Sequence, residues 1–359
     1  MAGGEREGIA NIATKIAEEI TPWLKWNTHP PYSQNFTCQQ ASLHKSKKQD
    51  DESEKVEDHN HPADAVYSYK DPYTNKQIIL NTDLKSYAKG SIKQGTIRSA
   101  LKSMAQTIDC ARLSREWRDR YSIPERDTDI RGMLFVYNHD GGWDSNFYEV
   151  FYGKKNKRRT GKSSENEQDI NIQNIDLQKG QQIHIMEPGT IKYIRTIIDD
   201  FLKLQAKGEF NTKDYQFHYP DLNLHKVSML PNERPATLEL ISAPFMIVEY
   251  QGRTLYDEDG RVAETIEPGH KVYYKEKIKD WKEMFFLIDS LSNYQILNNS
   301  KKISIRAIGQ DQDDAARSFF RSAADEYVRR WGKSEIIKSI EFEVIPTVSD
   351  YFSKEDIGW

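Results

Sequence analysis

Three charged residues carry the clearest chemical signal in this 359-residue chain: Asp64, Asp83 and Lys85. The last two lie in Gln77-Ile-Ile-Leu-Asn-Thr-Asp83-Leu-Lys85-Ser-Tyr87, whose apolar residues predict a strand. Alternate residues of a strand face the same way, so Asp83 and Lys85 must project together. A carboxylate beside an ammonium on an apolar strand is costly to bury unless the two are paired or used. A second strand, residues 64–70, precedes it, and Asp71-Pro72-Tyr73-Thr74-Asn75 between them has turn chemistry. A hairpin there brings Asp64 beside Asp83. Two converging carboxylates plus a backbone carbonyl make a hard oxygen site suited to Mg²⁺ or Mn²⁺. Such an ion polarises a phosphodiester and lowers the pKa of bound water. Lys85 would then orient or deprotonate that water and offset the charge building on the phosphorane. The competing reading is a surface salt bridge on a solvated sheet.

The elements needed to hold this group are visible around it. Residues 5–20 predict a helix with Ile9, Ile12, Ala13, Ile16 and Ile20 on one face, ended by Pro22. Residues 27–61 read as polar and irregular, with a charged run at 45–58. A helix from about Lys93 to Arg115 buries Ile97, Leu101, Met104, Ile108 and Ala111. A strand follows at 132–138, and a further one is expected at 147–152. The order is helix, strand, strand, helix, strand.

Pro62-Ala63-Asp64 followed by Asp83-Leu84-Lys85 in this context resembles the PD-(D/E)XK nuclease signature. The literal Pro-Asp pair is replaced by Pro-Ala-Asp. The resemblance covers about 120 of the 359 residues and takes its specificity from the hairpin and helix context rather than the letters. It implies a restriction-endonuclease-like α/β domain, a mixed sheet flanked by helices. It also implies a glutamate from the first helix at the metal. Glu18 points away from the isoleucine stripe and Glu19 lies near its edge, so Glu19 is preferred. The helix after the motif is expected to turn polar residues toward the site; periodicity does not choose among Lys93, Gln94, Arg98, Lys102 and Gln106. Lys93, Arg98 and Lys102 are carried forward as contacts to nucleic acid. Gln106 and His61 are carried forward as groups supporting the metal ligands.

Lys155, Arg158 and Arg159 belong to a basic stretch, residues 154–162, that could grip phosphates or simply be a solvated loop. The whole stretch 153–175 lacks core periodicity and is expected to be a linker or loop. It would separate a nuclease domain at 1–152 from an α+β domain at 176–359. That second half reads as a strand at 182–186, a helix at 189–206, strands near 236–250 and 271–275, then a helix at 277–295. A strand at 302–308, a helix at 312–331 and a strand at 340–347 finish it. Arg317, Arg321, Arg329 and Arg330 lie on its last helix as a solvated face. His139 reads as part of a turn after a buried strand, and Tyr67, Tyr69 and Tyr87 as core or rim.

Bulk properties narrow the setting. Hydrophobic residues make up 37% and charged residues 30%, and the net charge is −4, so polyanion binding needs a local patch. Cys38 and Cys110 are the two cysteines, far apart and without CxxC, so neither a disulfide framework nor a zinc knuckle is expected. His59 and His61 read as a polar loop entering a strand. No apolar run has membrane-spanning length, and the start MAGGEREGIA has no signal-peptide pattern; a cytoplasmic protein is expected. The resulting expectation is a metal-dependent nuclease acting on DNA, of the kind found in bacterial restriction and antiphage defence. It would be restrained as a homo-oligomer or by a partner such as an ATPase. An RNase on the same fold, or a non-catalytic scaffold subunit, are the rivals.

Overall fold

The computed structural model describes residues 2–44, 59–151, 170, 172–221, 224–298, 301–311 and 313–348. The chain divides into two units. Of the described residues, one unit holds those up to Lys70 and from Lys76 to Ile191; the other holds Asp71–Asn75 and those from Lys192 onward.

The first unit opens with α1 (Ala2–Ile20), followed by β1 (Asn27–His29), β2 (Gln34–Thr37), α2 (Ala41–His44) and β3 (Asn60–Ala63). Then come β4 (Ala65–Lys70), β5 (Gln77–Tyr87), α3 (Gln94–Leu113), α4 (Arg115–Tyr121), β6 (Thr128–Asn138), α5 (Phe147–Phe151) and β7 (Ile183–Met186). Five strands form one mixed sheet in the order β1-β4-β5-β6-β7. The β4–β5 pair is antiparallel, as the hairpin reading requires, while β5–β6 and β6–β7 are parallel. Strands β2 and β3 pair separately.

One face of the sheet is covered by α3 and α4. Leu101 and Ala105 of α3 pack on Leu134 and Val136 of β6. Trp117 and Tyr121 of α4 pack on Val66 and Ile79. Gly132 sits mid-strand because α3 crosses β6 there: a Cβ would stand 2.6 Å from Met104 Cγ. The buried stripe Ile12, Ala13, Ile16, Ala17 and Ile20 packs α1 on β5 and β6.

Four expectations are corrected. Of the segment 147–152, Phe147–Phe151 is helix, not strand. Its apolar residues recur at four, and Phe147 and Phe151 meet edge-on at 4.7 Å within the α3 core. Residues 27–61 are not wholly irregular, since β1, β2 and β3 form there. The helix read from 93 to 115 is α3, which ends at Leu113, and a second helix that the sequence reading lacks, α4, begins at Arg115, with Ser114 Oγ accepting from Trp117 N–H. The nuclease-type unit does not stop at 152: β7 adds its fifth strand, and Ile170 and Ile175 enter the α3 core. A parallel edge strand needs a long crossover, and the stretch 153–175 is part of that crossover.

The second unit carries α6 (Pro188–Ala206, from Lys192 onward), β8 (Tyr215–Phe217), α7 (Leu238–Ser242), β9 (Phe245–Tyr250), β10 (Arg253–Tyr256) and β11 (Val262–Ile266). It continues with β12 (Gly269–Tyr274), α8 (Trp281–Asn293), β13 (Lys302–Ile308), α9 (Asp313–Trp331), α10 (Ser334–Lys338) and β14 (Glu341–Ile345). Its sheet runs β14-β13-β12-β9-β8, with β12, β13 and β14 parallel, so the last half is a β-α-β-α-β unit as its periodicity implied. Helices α8 and α9 bury Leu287, Leu291, Phe320 and Tyr327 with Val272 and Ile305. The β10–β11 hairpin was not foreseen. Among the described residues, no helix is long and apolar enough to cross a membrane.

Candidate active site

The hairpin strands differ in length, and that difference makes the site. Pairing of β4 with β5 ends at Ala65↔Thr82. Beyond it β5 continues to Tyr87, held by β6 through Asp83↔Leu134, Lys85↔Val136 and Tyr87↔Asn138. Its other edge is left open to the residue just before β4, Asp64. The Asp64 carboxylate accepts the Leu84 backbone N–H at 2.9 Å. The N–H and C=O of one strand residue point to the same edge, so the Leu84 carbonyl is presented there too. The Asp64 carbonyl in turn accepts from Ser33 N–H at 2.8 Å, which fixes this turn from behind. The hairpin tip is set by an Asx turn, in which Asp71 Oδ1 accepts from the backbone N–H groups of Tyr73 and Thr74.

Asp83 and Lys85 form an ion pair on one face of β5. Asp83 is buried, at 9% exposure, and Lys85 is partly buried. Burial raises the Asp83 carboxyl to about 6; Lys85 opposes this and the Asp64 charge adds to it. Burial works against the Lys85 ammonium as well, yet Asp83 and Asp64 hold its pKa above the ordinary lysine value. Asp83 Oδ1 is buried and accepts no hydrogen bond apart from that ion pair. Two carboxylates therefore converge beside a single ammonium, which leaves an excess of negative charge at one strand edge. This is the donor set of a hard divalent cation.

The match to a known family settles what this arrangement belongs to. The family model described as GAPS4 protein PD-(D/E)XK nuclease domain matches residues 1–190. The chain belongs to that family. No curated protein and no solved structure matches it. The PD-(D/E)XK match ends one residue short of the boundary of the first unit, so sheet and family agree that β7 belongs to the nuclease domain.

The other expected site residues divide. Both α1 glutamates are exposed, but Glu18, not Glu19, acts on Tyr32 and Tyr67. Tyr67 pairs with Leu80, on the sheet face opposite Asp83, which puts α1 on that opposite face. Tyr32 adjoins Ser33, the donor to Asp64, so Glu18 is linked to the Asp64 turn through Tyr32. Lys93 lies at the start of α3, on the rim of an open hollow of about 740 Å³ shared with Gln94, Gly95, Thr96 and Ser99. Arg98 and Lys102 stand on the solvent side of α3 and do not join Asp83; Gln106, a turn further, is half-buried. Lys155, Arg158 and Arg159 lie outside the described residues.

His61 is misplaced by the sequence reading. It is buried in β3 against Phe36 and His44, with its Nε2 3.3 Å from His44 Nδ1, and it supports no ligand of Asp83. His139 follows the turn reading: Asn138 Nδ2 donates to the Tyr87 carbonyl, and His139 Nδ1 lies 3.1 Å from Ser86 Oγ. Tyr67 and Tyr69 are core, packed with Trp26. Tyr87 is half-buried near Lys85. Asn81, two residues before Asp83, accepts from buried Trp117 Nε1 at 3.0 Å and so anchors β5 to α4; no pattern in the sequence marked it.

Proposed function

We propose that this nuclease-family chain hydrolyses phosphodiester bonds of DNA with a divalent cation, Mg²⁺ or Mn²⁺, in a restriction or antiphage-defence setting. The observation that carries the reading is the open edge of β5, where the Asp64 carboxylate, buried Asp83 and the Leu84 carbonyl face one volume with Lys85 beside it. PD-(D/E)XK nucleases generally use divalent metals, and the donor set here fits one. Asp64 and Asp83 would hold the ion, which supplies Lewis acidity at the scissile phosphate and acidifies its bound water.

The chain's own groups do the rest. Asp83, raised to about 6 by burial and neighbouring charge, is ionised at neutral pH and ready to take a cation. Lys85 stays protonated, so it orients the attacking water through its N–H groups and offsets negative charge on the phosphorane rather than abstracting a proton. Leu84 fixes Asp64 by its N–H, so neither carboxylate needs to reorganise on binding. Glu19 is the expected third carboxylate from α1, and Glu18, linked through Tyr32 to the Asp64 turn, is its competitor. Lys93 at the rim of the α3 hollow is the basic residue best placed for a phosphate next to the scissile one.

Plasmid DNA and a structured RNA, each incubated with the full chain plus Mg²⁺ or Mn²⁺, test the reading beside Asp83→Ala and Lys85→Ala. Metal-dependent DNA cleavage lost in both variants supports it. RNA cleavage alone shifts the substrate, and cleavage that persists in both variants removes these residues from the site.

A further inference from the structure

A second group of metal-binding side chains converges elsewhere in the nuclease domain. Cys38 follows β2, His44 ends α2, His61 lies in β3 and Cys110 lies in α3. All four side chains are buried, and their ligand atoms lie within 4.8 Å of one another. Cys38 Sγ is 3.6 Å from Cys110 Sγ. His44 Nδ1 is 3.4 Å from each sulfur and 3.3 Å from His61 Nε2. A tetrahedral zinc ion, with Zn–S about 2.3 Å and Zn–N about 2.0–2.1 Å, separates sulfurs by about 3.8 Å, sulfur and nitrogen by about 3.6 Å and nitrogens by about 3.3 Å. The observed spacings match each class of edge to within about 0.2 Å.

The surroundings fit as well. His44 presents Nδ1 to the group, and its Nε2 lies 3.5 Å from the Asp109 carboxylate. Asp109 is itself held by Gln40 Nε2 at 2.7 Å and Gln181 Nε2 at 3.0 Å. The Gln39 backbone N–H donates to Cys110 Sγ at 3.2 Å. A carboxylate behind the imidazole and an amide on the sulfur are the outer contacts that orient zinc ligands.

We propose that Cys38, His44, His61 and Cys110 bind one zinc ion. Four protein ligands fill a tetrahedral ion, so no place is left for water or substrate, and the role is structural. The ion ties α2, β3 and the end of β2 to α3. Strand β3 runs directly into Asp64, so the same ion steadies the approach to the β5 edge. The spacing C-x₅-H-x₁₆-H-x₄₈-C resembles no compact zinc module, which is why the sequence concealed it.

Elemental analysis of the full-length protein, purified without chelators, tests this. One zinc per chain is expected in the wild type and in Asp83→Ala, and less than a tenth of that in Cys38→Ser/Cys110→Ser. His61→Cys, which keeps four ligands, is expected to retain zinc where His61→Ala loses it. Should the serine variants fail to fold, Co²⁺ exchanged into the wild type decides: thiolate-to-cobalt charge transfer with intense tetrahedral bands supports the site. A wild type without zinc and without those bands, a Cys38–Cys110 disulfide in its place, or zinc retained by the double serine variant each overturns the proposal.

Discussion

Asp83→Asn should stabilise the metal-free protein while abolishing cleavage. The Asp83 carboxyl is raised from 3.8 to about 6 in the fold, chiefly by burial. A folded pKa above the unfolded one means that ionised Asp83 opposes folding. The cost is absent below about pH 4, where the group is protonated in both states, and grows as pH rises to about 6. A shift of about two units corresponds to roughly 3 kcal/mol at neutral pH. That shift is already net of the favourable pairing with Lys85, so removing the charge gains about 3 kcal/mol, or a rise of about 6–12 °C in the melting transition of a unit of this size. Thermal unfolding in EDTA at pH 7.5 and at pH 4 measures it: the variant should melt higher at pH 7.5, and the difference should vanish at pH 4. Mg²⁺ should reverse the order at pH 7.5, because a ligand that binds only the folded wild type stabilises it by mass action. An Asp83→Asn protein that melts at or below the wild type in EDTA at pH 7.5 would refute the placement of this carboxylate in a buried site beside Asp64.

Further expectations follow from the same geometry. Lys85→Ala should lower the single-turnover cleavage rate by about 10²–10³ with little change in Mg²⁺ affinity, since its charge acts on the phosphorane rather than the ion; equal loss of metal affinity would argue against that division of roles. Glu18→Gln should reduce Mn²⁺-dependent cleavage more than Glu19→Gln, and parallel titrations of the two variants check this. Trp117→Ala empties a fully buried site and strips Asn81 of its donor; about 3–5 kcal/mol of stability should be lost, read by chemical denaturation. In the second unit, Arg306 Nη2 donates to Asp200 Oδ1 at 2.6 Å in a nearly dry setting, while Nη1 donates to the more exposed Glu343, so Asp200→Ala should cost about 3 kcal/mol by leaving the buried guanidinium with Glu343 alone, whereas Asp200→Ala/Arg306→Met should recover most of it.

What could be read from the sequence was what local chemistry determines. The apolar, β-prone run in residues 77–87, the Asx-turn residues at 71–75 and the isoleucine spacing of α1 each specify their element with no distant partner. The parallel pairing of β6 with β7 is set by a crossover of more than forty residues, which leaves no local trace, so the domain edge was drawn at 152. Phe147 and Phe151 fit either period in so short a run, and only their burial against α3 selects the helix. Cys38, His44, His61 and Cys110 come from four elements, and nothing in their spacing predicts that β3 brings His61 against α3.

The active-site geometry belongs between these cases. Alternation alone puts Asp83 and Lys85 on one face, and the hairpin puts Asp64 near them, but neither says why Asp64 should turn inward. The reason is a mismatch of strand lengths. β4 ends its pairing at Ala65 while β5 runs on to Tyr87, which leaves the N–H and C=O of Leu84 facing no strand. Buried backbone groups must be satisfied, and the Asp64 carboxylate satisfies the N–H. The Leu84 carbonyl is then presented at the same edge, where the Asp64 and Asp83 carboxylates share the single Lys85 ammonium, a deficit of positive charge. A cation answers that deficit, and it answers the Asp83–Asp64 repulsion as well.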